Sequence, residues 1–266
     1  MSEHVRIESG GGVLAITLAR PERRNAITVA MYAALADAIG NAQGDPSLRL
    51  ITLSGEGEDF TAGNDLADFL AAMPRDGGDK GEEIAVWRLL RVLAANDLPL
   101  VAAVHGNAIG IGTTLLLHCD MVIAEEGARF SLPFVDLGLV PEAASSLLLP
   151  RLAGRRRAAR YLLLAEPFGP EEASEWGLVT RVVPKGELGA ALAETVAALL
   201  AKPAAALRLT QGLLRHGSRE EILERFELEN RHFSERLQSA EVKEAITAFF
   251  EKRKPDFSGL DETGPG

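Results

Sequence analysis

The sequence predicts an α/β fold. Three observations carry that reading: short apolar runs at Leu50 to Leu53, Leu100 to Val104 and Met121 to Ala124, amphipathic segments spaced between such runs, and glycine-bearing turns that join one kind of segment to the other. The first elements alternate apolar and polar positions. His4 to Ser9 and Val13 to Leu18 read as two strands, with Gly10-Gly11-Gly12 as the turn between them, so the chain opens on a hairpin. Thr28 stands where a helix cap belongs, ahead of Met31, Leu35, Ala38, Ile39 and Ala42, which share one helical face. Gly44-Asp45-Pro46 ends that helix and the strand Leu50 to Ser54 follows.

The alternation continues through Leu100 to Val104, a helix from about Gly112, Met121 to Ala124, and a short strand Val179 to Val183. The run from Pro74 to Gly81 is polar and glycine-rich and reads as a loop, either beside a substrate entrance or simply in solvent. After Pro203 the pattern is almost continuously helical. Ile222, Phe226, Phe233 and Leu237 fall on one face, with Asn230 as the polar gap, and that stripe needs a cover from its own domain or from another subunit.

Composition narrows the function classes. The 266 residues are 47% hydrophobic, enough for an extensive core, and the net charge of -10 speaks against nucleic acid as the main partner. Apolar runs fall short of the roughly 20 residues that span a bilayer, and neither Met1-Ser2-Glu3-His4-Val5 nor the final Thr-Gly-Pro-Gly reads as an address signal, so a cytoplasmic protein is expected. The single cysteine, Cys119, has no internal disulfide partner and reads as a small core residue of a protein in a reducing compartment. The five histidines form neither a metal-ligand spacing nor a nucleophile triad, and no metal is expected.

The chemistry is concentrated in two turns, Phe60-Thr61-Ala62-Gly63-Asn64-Asp65-Leu66 and Gly106-Asn107-Ala108-Ile109-Gly110-Ile111-Gly112. Each follows a strand-like run and opens toward a helix-like one. Two such turns can aim free backbone N–H groups at one point, and such a point stabilises a negative oxygen.

Read with Ile16 to Ala26, Cys119-Asp120, Pro133, Leu137 to Pro141 and Ala173 to Val182, the two turns resemble the crotonase family, the enoyl-CoA hydratases, enoyl-CoA isomerases and their relatives acting on acyl-CoA thioesters. The resemblance runs over nearly the whole chain. It implies a crotonase ββα spiral core over residues 1–200 and a C-terminal helical region, 201–266, through which relatives form trimers that often pair into hexamers. It implies an acyl-CoA substrate, with coenzyme A a part of that substrate and no separate cofactor.

Carried over residue by residue, the oxyanion donors are the backbone N–H groups of Asn64 and Ile111. The coenzyme A moiety would run past Arg24 and Ala26, with Ala62, Gly63, Asp65 and Leu66 around its pantetheine end and Phe134 and Leu137 on the acyl side. Lys252 and Lys254, in a tail that relatives lay across a subunit boundary, would meet adenine and phosphate. The two glutamates of family hydratases correspond here to Thr114 and Phe134, neither of which moves a proton as a carboxylate does. Glu142, after Pro141, is similar to the catalytic glutamate of peroxisomal-type Δ3,Δ2-enoyl-CoA isomerases, and Ser145-Ser146 and the isoleucine at 111 resemble that branch too.

An isomerase needs one base to take a proton from C2, a site for the dienolate and return of a proton at C4, and Glu142 with the two amides would meet that need. Burial of Glu142 beside Phe134 and Leu137 would raise its pKa, whereas a helix N-terminus near Pro141 would lower it. Asp65 is expected to order its turn, Asp136 to stand as a second polar group near the pocket, and His105 to be a turn or core residue. The alternatives are a hydratase, a ring-acyl-CoA isomerase, a dehalogenase, or an inactive scaffold or RNA-binding relative. Only the run Arg151, Arg155, Arg156, Arg157 and Arg160 favours RNA, and an ion-paired helical face is the expectation for it.

Overall fold

The computed structural model describes residues 2–68 and 85–260; the loop expected at Pro74 to Gly81 lies outside them. Val5–Gly10 (β1) and Val13–Leu18 (β2) pair antiparallel as the opening hairpin, with Ile7 opposite Ile16. From β2 onward the sheet is parallel. Leu50–Gly55 (β3) joins β2, Leu100–Val104 (β4) joins β3, Met121–Glu125 (β6) joins β4, and Arg181–Val183 (β8) joins β6, giving the order β1-β2-β3-β4-β6-β8. The two middle strands are apolar on both faces because both faces are covered, as parallel sheets require.

Val29–Ala42 (α1) crosses from β2 to β3 and begins as expected, with the Thr28 hydroxyl accepting from the Met31 N–H at 3.2 Å. Ala85–Ala95 (α2) packs along it. Two expectations are corrected. Strand β8 starts at Arg181 rather than Val179, because the N–H groups of Leu178 and Val179 are bonded back to the Ala173 carbonyl at the end of the preceding helix. The segment after Gly106 is not a plain turn into a helix: Asn107–Ile109 (β5) first pairs with Arg129–Ser131 (β7) in a small second sheet. The helix that follows, Ile111–Thr114 (α3), lasts four residues before tightening into a 3-10 turn at Leu115–His118.

Ser145–Ala153 (α4), Arg155–Leu163 (α5), Pro170–Glu175 (α6) and Leu188–Leu200 (α7) surround the sheet. Ala204–Arg215 (α8), Arg219–Leu237 (α9) and Ala240–Glu251 (α10) make up the C-terminal helices. Ile222, Phe226 and Phe233 of α9 are buried in the same core as the sheet, so the protein's own fold covers most of that stripe. The buried polar member of the face is Glu229, at three and four residues from Phe226 and Phe233; Asn230 is only partly buried. The basic run is an ion-paired face: Arg157 meets Glu175 at 3.0 Å, Arg160 meets Glu166 and Glu172, and Arg151 meets Glu221. Among the described residues, no single helix is long and apolar enough to cross a membrane.

Asn25 ties the segment after β2 to the rest of the sheet edge. It is 0% exposed at φ 55°. Its Oδ1 accepts from the Arg20 N–H at 2.8 Å and its Nδ2 donates to the Glu56 and Asp59 carbonyls at 2.8 Å each. N25A orphans three backbone groups and leaves a residue with a Cβ in the left-handed region that Asn tolerates. It should lower the unfolding free energy by about 3 kcal/mol, read from the urea midpoint at unchanged slope.

Candidate active site

The site begins with a single-residue bridge. The Thr61 N–H donates to the Asn107 carbonyl at 2.9 Å and the Ile109 N–H to the Thr61 carbonyl at 3.1 Å, so the first turn is held alongside strand β5 of the second. Contact this close needs residues without side chains. Gly63 sits at φ +89°, and a Cβ built there would lie 2.7 Å from the Ile109 carbonyl oxygen; one built on Gly112 would lie 2.4 Å from the Thr61 methyl.

The hydrogen bonds on either side leave two amides over. The Ile27 N–H donates to the Gly63 carbonyl and the Asp65 N–H to the Ile27 carbonyl, so the Asn64 N–H between them points the other way and has no acceptor among the described residues. In the second turn the Gly110 N–H donates to the Ser131 carbonyl, and the Thr113 and Thr114 N–H groups donate to Gly110, which leaves the Ile111 N–H free at the first position of α3. A helix of one turn has little macrodipole, so the resource at Ile111 is the amide itself.

Asn64 and Ile111 both line one cavity of about 600 Å³. The predicted residues Arg24, Ala26, Ala62, Gly63, Asp65 and Leu66 line it, and so do Phe134 and Leu137. The remaining wall comes from the C-terminal helices through Phe233, Leu237, Val242, Ile246, Phe249 and Phe250. Asp136 is on the wall and exposed. Lys252 and Lys254 are exposed and do not line it, and neither does Thr114, which is fully buried with its hydroxyl turned to the Ile111 carbonyl.

Asp65 has the structural role expected of it. Its carboxylate accepts from Arg20 Nη1 at 2.8 Å and from the Asp68 N–H at 3.2 Å. Arg24, which lines the cavity, is held by Asp59 at 2.6 Å, and the same carboxylate accepts from the Asn107 N–H at 2.9 Å. His105 is a turn residue whose ring contacts the Gly57 carbonyl.

Glu142 is 1% exposed and its Oε1 has no hydrogen-bond partner among the described residues. It is not on the cavity wall itself; it lies in the core near Tyr32, whose hydroxyl pKa is pushed up by burial first and by the Glu142 charge second. The Tyr32 hydroxyl in turn donates to Asn64 Oδ1, linking this buried group to the oxyanion turn. Burial first, and the charge of Glu229 second, push the Glu142 carboxyl up to about 8. The helix N-terminus expected to oppose that rise does not reach Glu142. Its amides are taken: Ala144 N–H donates to Glu229 Oε2 at 2.7 Å and Ser146 N–H to Glu229 Oε1 at 2.9 Å.

Tyr32 and Glu229 were not among the residues expected from sequence. The signal for each was its register, Tyr32 with Leu35, Ala36 and Ile39 on α1 and Glu229 with Ile222, Phe226 and Phe233 on α9, polar-tipped positions inside an apolar stripe.

Two backbone amides without an acceptor among the described residues, on residues that line one apolar cavity, and a desolvated carboxylate nearby are the chemical resources of this site. The profile of the enoyl-CoA hydratase/isomerase family matches residues 8–260. The chain is 34% identical to the 1,2-epoxyphenylacetyl-CoA isomerase of Escherichia coli (strain K12) over 261 residues, covering 97% of this chain and 100% of that one. It is 37% identical to a probable enoyl-CoA hydratase of Rhodobacter capsulatus over 260 residues, covering 97% and 100%. The crystal structure of an enoyl-CoA hydratase/isomerase from Pseudoalteromonas atlantica T6c superposes with a TM-score of 0.89 at 39% identity, over 96% of this chain and 100% of that one. This chain belongs to the enoyl-CoA hydratase/isomerase family, the crotonases.

Two outcomes follow from this geometry. G63A places a methyl against the Ile109 carbonyl and separates the two turns. It should cost about 10²-fold or more in acyl-CoA turnover, the loss typical of one oxyanion donor, with the far-ultraviolet circular dichroism unchanged. The second concerns pH. Folded Glu142 keeps its proton up to about pH 8 while the unfolded chain loses it near 4.5, so this group's stabilising contribution is complete below 4.5 and is lost as pH rises to about 8. The slope is about 1.4 kcal/mol per pH unit. E142Q removes it: the variant should exceed wild type in unfolding free energy by a few kcal/mol at about pH 8.5, with the gap closing toward about pH 5.

Proposed function

We propose that this protein is an enoyl-CoA isomerase that moves the double bond of a 3-enoyl-CoA to the 2-position. What supports the reading most is the pairing of one unpartnered, buried carboxylate, Glu142, with hydratase positions occupied by Thr114 and Phe134. In this mechanism the thioester oxygen accepts from the Asn64 and Ile111 N–H groups. The ionised form of Glu142, the minor form below about pH 8, takes a proton from C2, the negative charge spreads into a dienolate whose oxygen stays on the two amides, and the carboxyl so formed returns the proton at C4. Atoms balance with no second reactant, which is why one carboxylate suffices. Coenzyme A enters as part of the substrate, past Arg24 and Ala26, and no separate cofactor is required.

Glu142 lies off the cavity wall, so the acyl group seated on the two amides has to bring C2 to it. Catalytic contacts that tighten only in the substrate complex are common in enzymes of this kind. The pKa near 8 suits the task, since a base of that strength is better matched to a carbon acid than an ordinary carboxylate. A second reading, isomerisation of a ring-bearing acyl-CoA at the same site, is favoured by the four phenylalanines at 134, 233, 249 and 250 on the cavity wall. A homotrimer, or trimers paired into a hexamer, is proposed with it, and would give cover to Leu209, Leu213 and Leu214 of α8, each at least 70% exposed.

The deciding measurement is E142Q with 3-enoyl-CoA. Turnover should fall by about 10³-fold while acyl-CoA still raises the melting temperature. Full isomerase activity in E142Q would sink the assignment, and rapid hydration of crotonyl-CoA by the pure wild-type protein would favour a hydratase instead.

A further inference from the structure

We propose that Glu229, on the C-terminal helix α9, is the positioning residue of this site: its carboxylate fixes the turn that presents Glu142 and sets a second carboxylate beside it. The kinetic part of this inference rests on the isomerase reading; the electrostatic part does not.

The turn after Glu142 is an uphill piece of backbone. Ala143 and Ala144 both sit at positive φ, 60° and 54°, a conformation that costs non-glycine residues of order 1 kcal/mol or more each. Something must hold it, and the hydrogen bonds identify what does. Glu229 Oε2 accepts from the Ala144 N–H at 2.7 Å, and Oε1 accepts from both the N–H and the hydroxyl of Ser146, at 2.9 and 2.5 Å. Three donors converge on one carboxylate, and Arg225 adds a fourth at one remove by donating to the Ser146 hydroxyl at 3.2 Å. A glutamine at 229 would turn an NH2 group toward one of these donors. Burial raises the Glu229 carboxyl, and the Ser146 and Ala144 donors and the Arg225 charge pull it back down, so the arrangement favours the anion.

Glu142 receives none of this. The titratable groups that bear on it are Tyr32 from α1, Glu229 from α9 and, beside the Ala143 carbonyl at 2.9 Å, His118, which burial holds near pKa 4 and so neutral, while Arg225 of α9 acts on Glu229 and the Ser146 hydroxyl. Two buried carboxylates thus share one small region with opposite provisions. The one with donors ionises first, and the one without keeps its proton because ionising would place a second negative charge beside the first. Burial alone would raise Glu142; Glu229 adds to that rise and, by occupying the α4 amides, removes the interaction that would have reversed it.

The test uses the full-length protein, with the Glu142 carboxyl followed by ¹³C NMR of labelled glutamate and assigned with E142Q. In E229Q the Glu142 titration should move down by about one pH unit or more, and the pH limb of kcat/KM for 3-enoyl-CoA should move with it. S146A removes one donor from the same network and keeps the charge, so it should lower stability and leave the titration within a few tenths of a unit. The inference is overturned if folded E229Q titrates like wild type, or if S146A and E229Q shift it equally, which would make the effect one of structure and not charge. If E229Q does not fold, the wild-type titration of Glu229 decides: a Glu229 carboxyl that ionises no earlier than Glu142 overturns the proposal. Should the titrations behave as expected while 3-enoyl-CoA is not turned over, the isomerase reading fails and the role of Glu229 stands.

Discussion

Everything at this site depends on the distance between two backbone turns, and that distance is set by the bridge from Thr61 to Asn107 and Ile109. Backbone pairing is stiff, directional and indifferent to side chains, which suits a site whose working donors are amides. Gly63 and Gly112 allow the approach, since a single carbon atom on either would overlap the opposite turn. Asp59 strengthens the join from outside by accepting from Arg24 on one side and Asn107 on the other. The bridge fixes the Asn64 and Ile111 N–H groups in place, and in the proposed mechanism that preorganisation spares any rearrangement as negative charge develops.

The second determinant is electrostatic and comes from the far end of the chain. Glu142 and Glu229 lie 87 positions apart by subtraction of their residue numbers, yet α9 brings the second carboxylate onto the turn that follows the first. A helix N-terminus ordinarily stabilises a nearby anion, and here it does so for Glu229. Glu142 is left with burial and a like charge. Environment, not residue type, separates one carboxylate that anchors from another that keeps its proton to about pH 8.

The C-terminal helices serve the cavity in the same way. Helix α9 buries Ile222, Phe226 and Phe233 in the core, then turns Phe233 and Leu237 toward the cavity, and α10 completes that wall with Val242, Ile246, Phe249 and Phe250. An apolar wall of this kind excludes water from the two amides and strengthens their interaction with a developing charge. The aromatic side chains also bound the size and shape of the acyl group that the cavity accepts.

Much of this was legible in the amino-acid order. Alternating strands and helices, the Thr28 cap, the two glycine turns and the absence of carboxylates at 114 and 134 are local features, written at spacings of a few residues, and they determined the α/β fold and the oxyanion turns. Smaller matters went astray where a hydrogen bond to a distant segment intervened, as at β8, shortened by the Ala173 carbonyl, and at β5, which exists only because β7 lies beside it. The state of Glu142 could not be read locally at all. Burial beside Phe134 and Leu137 argued for a raised pKa and the start of α4 for a lowered one, and the balance was decided by burial and by Glu229, a residue remote in sequence. Local pattern records which backbone each segment adopts; long-range electrostatics depend on which segments end up within a few ångströms of one another, and only the folded chain decides that.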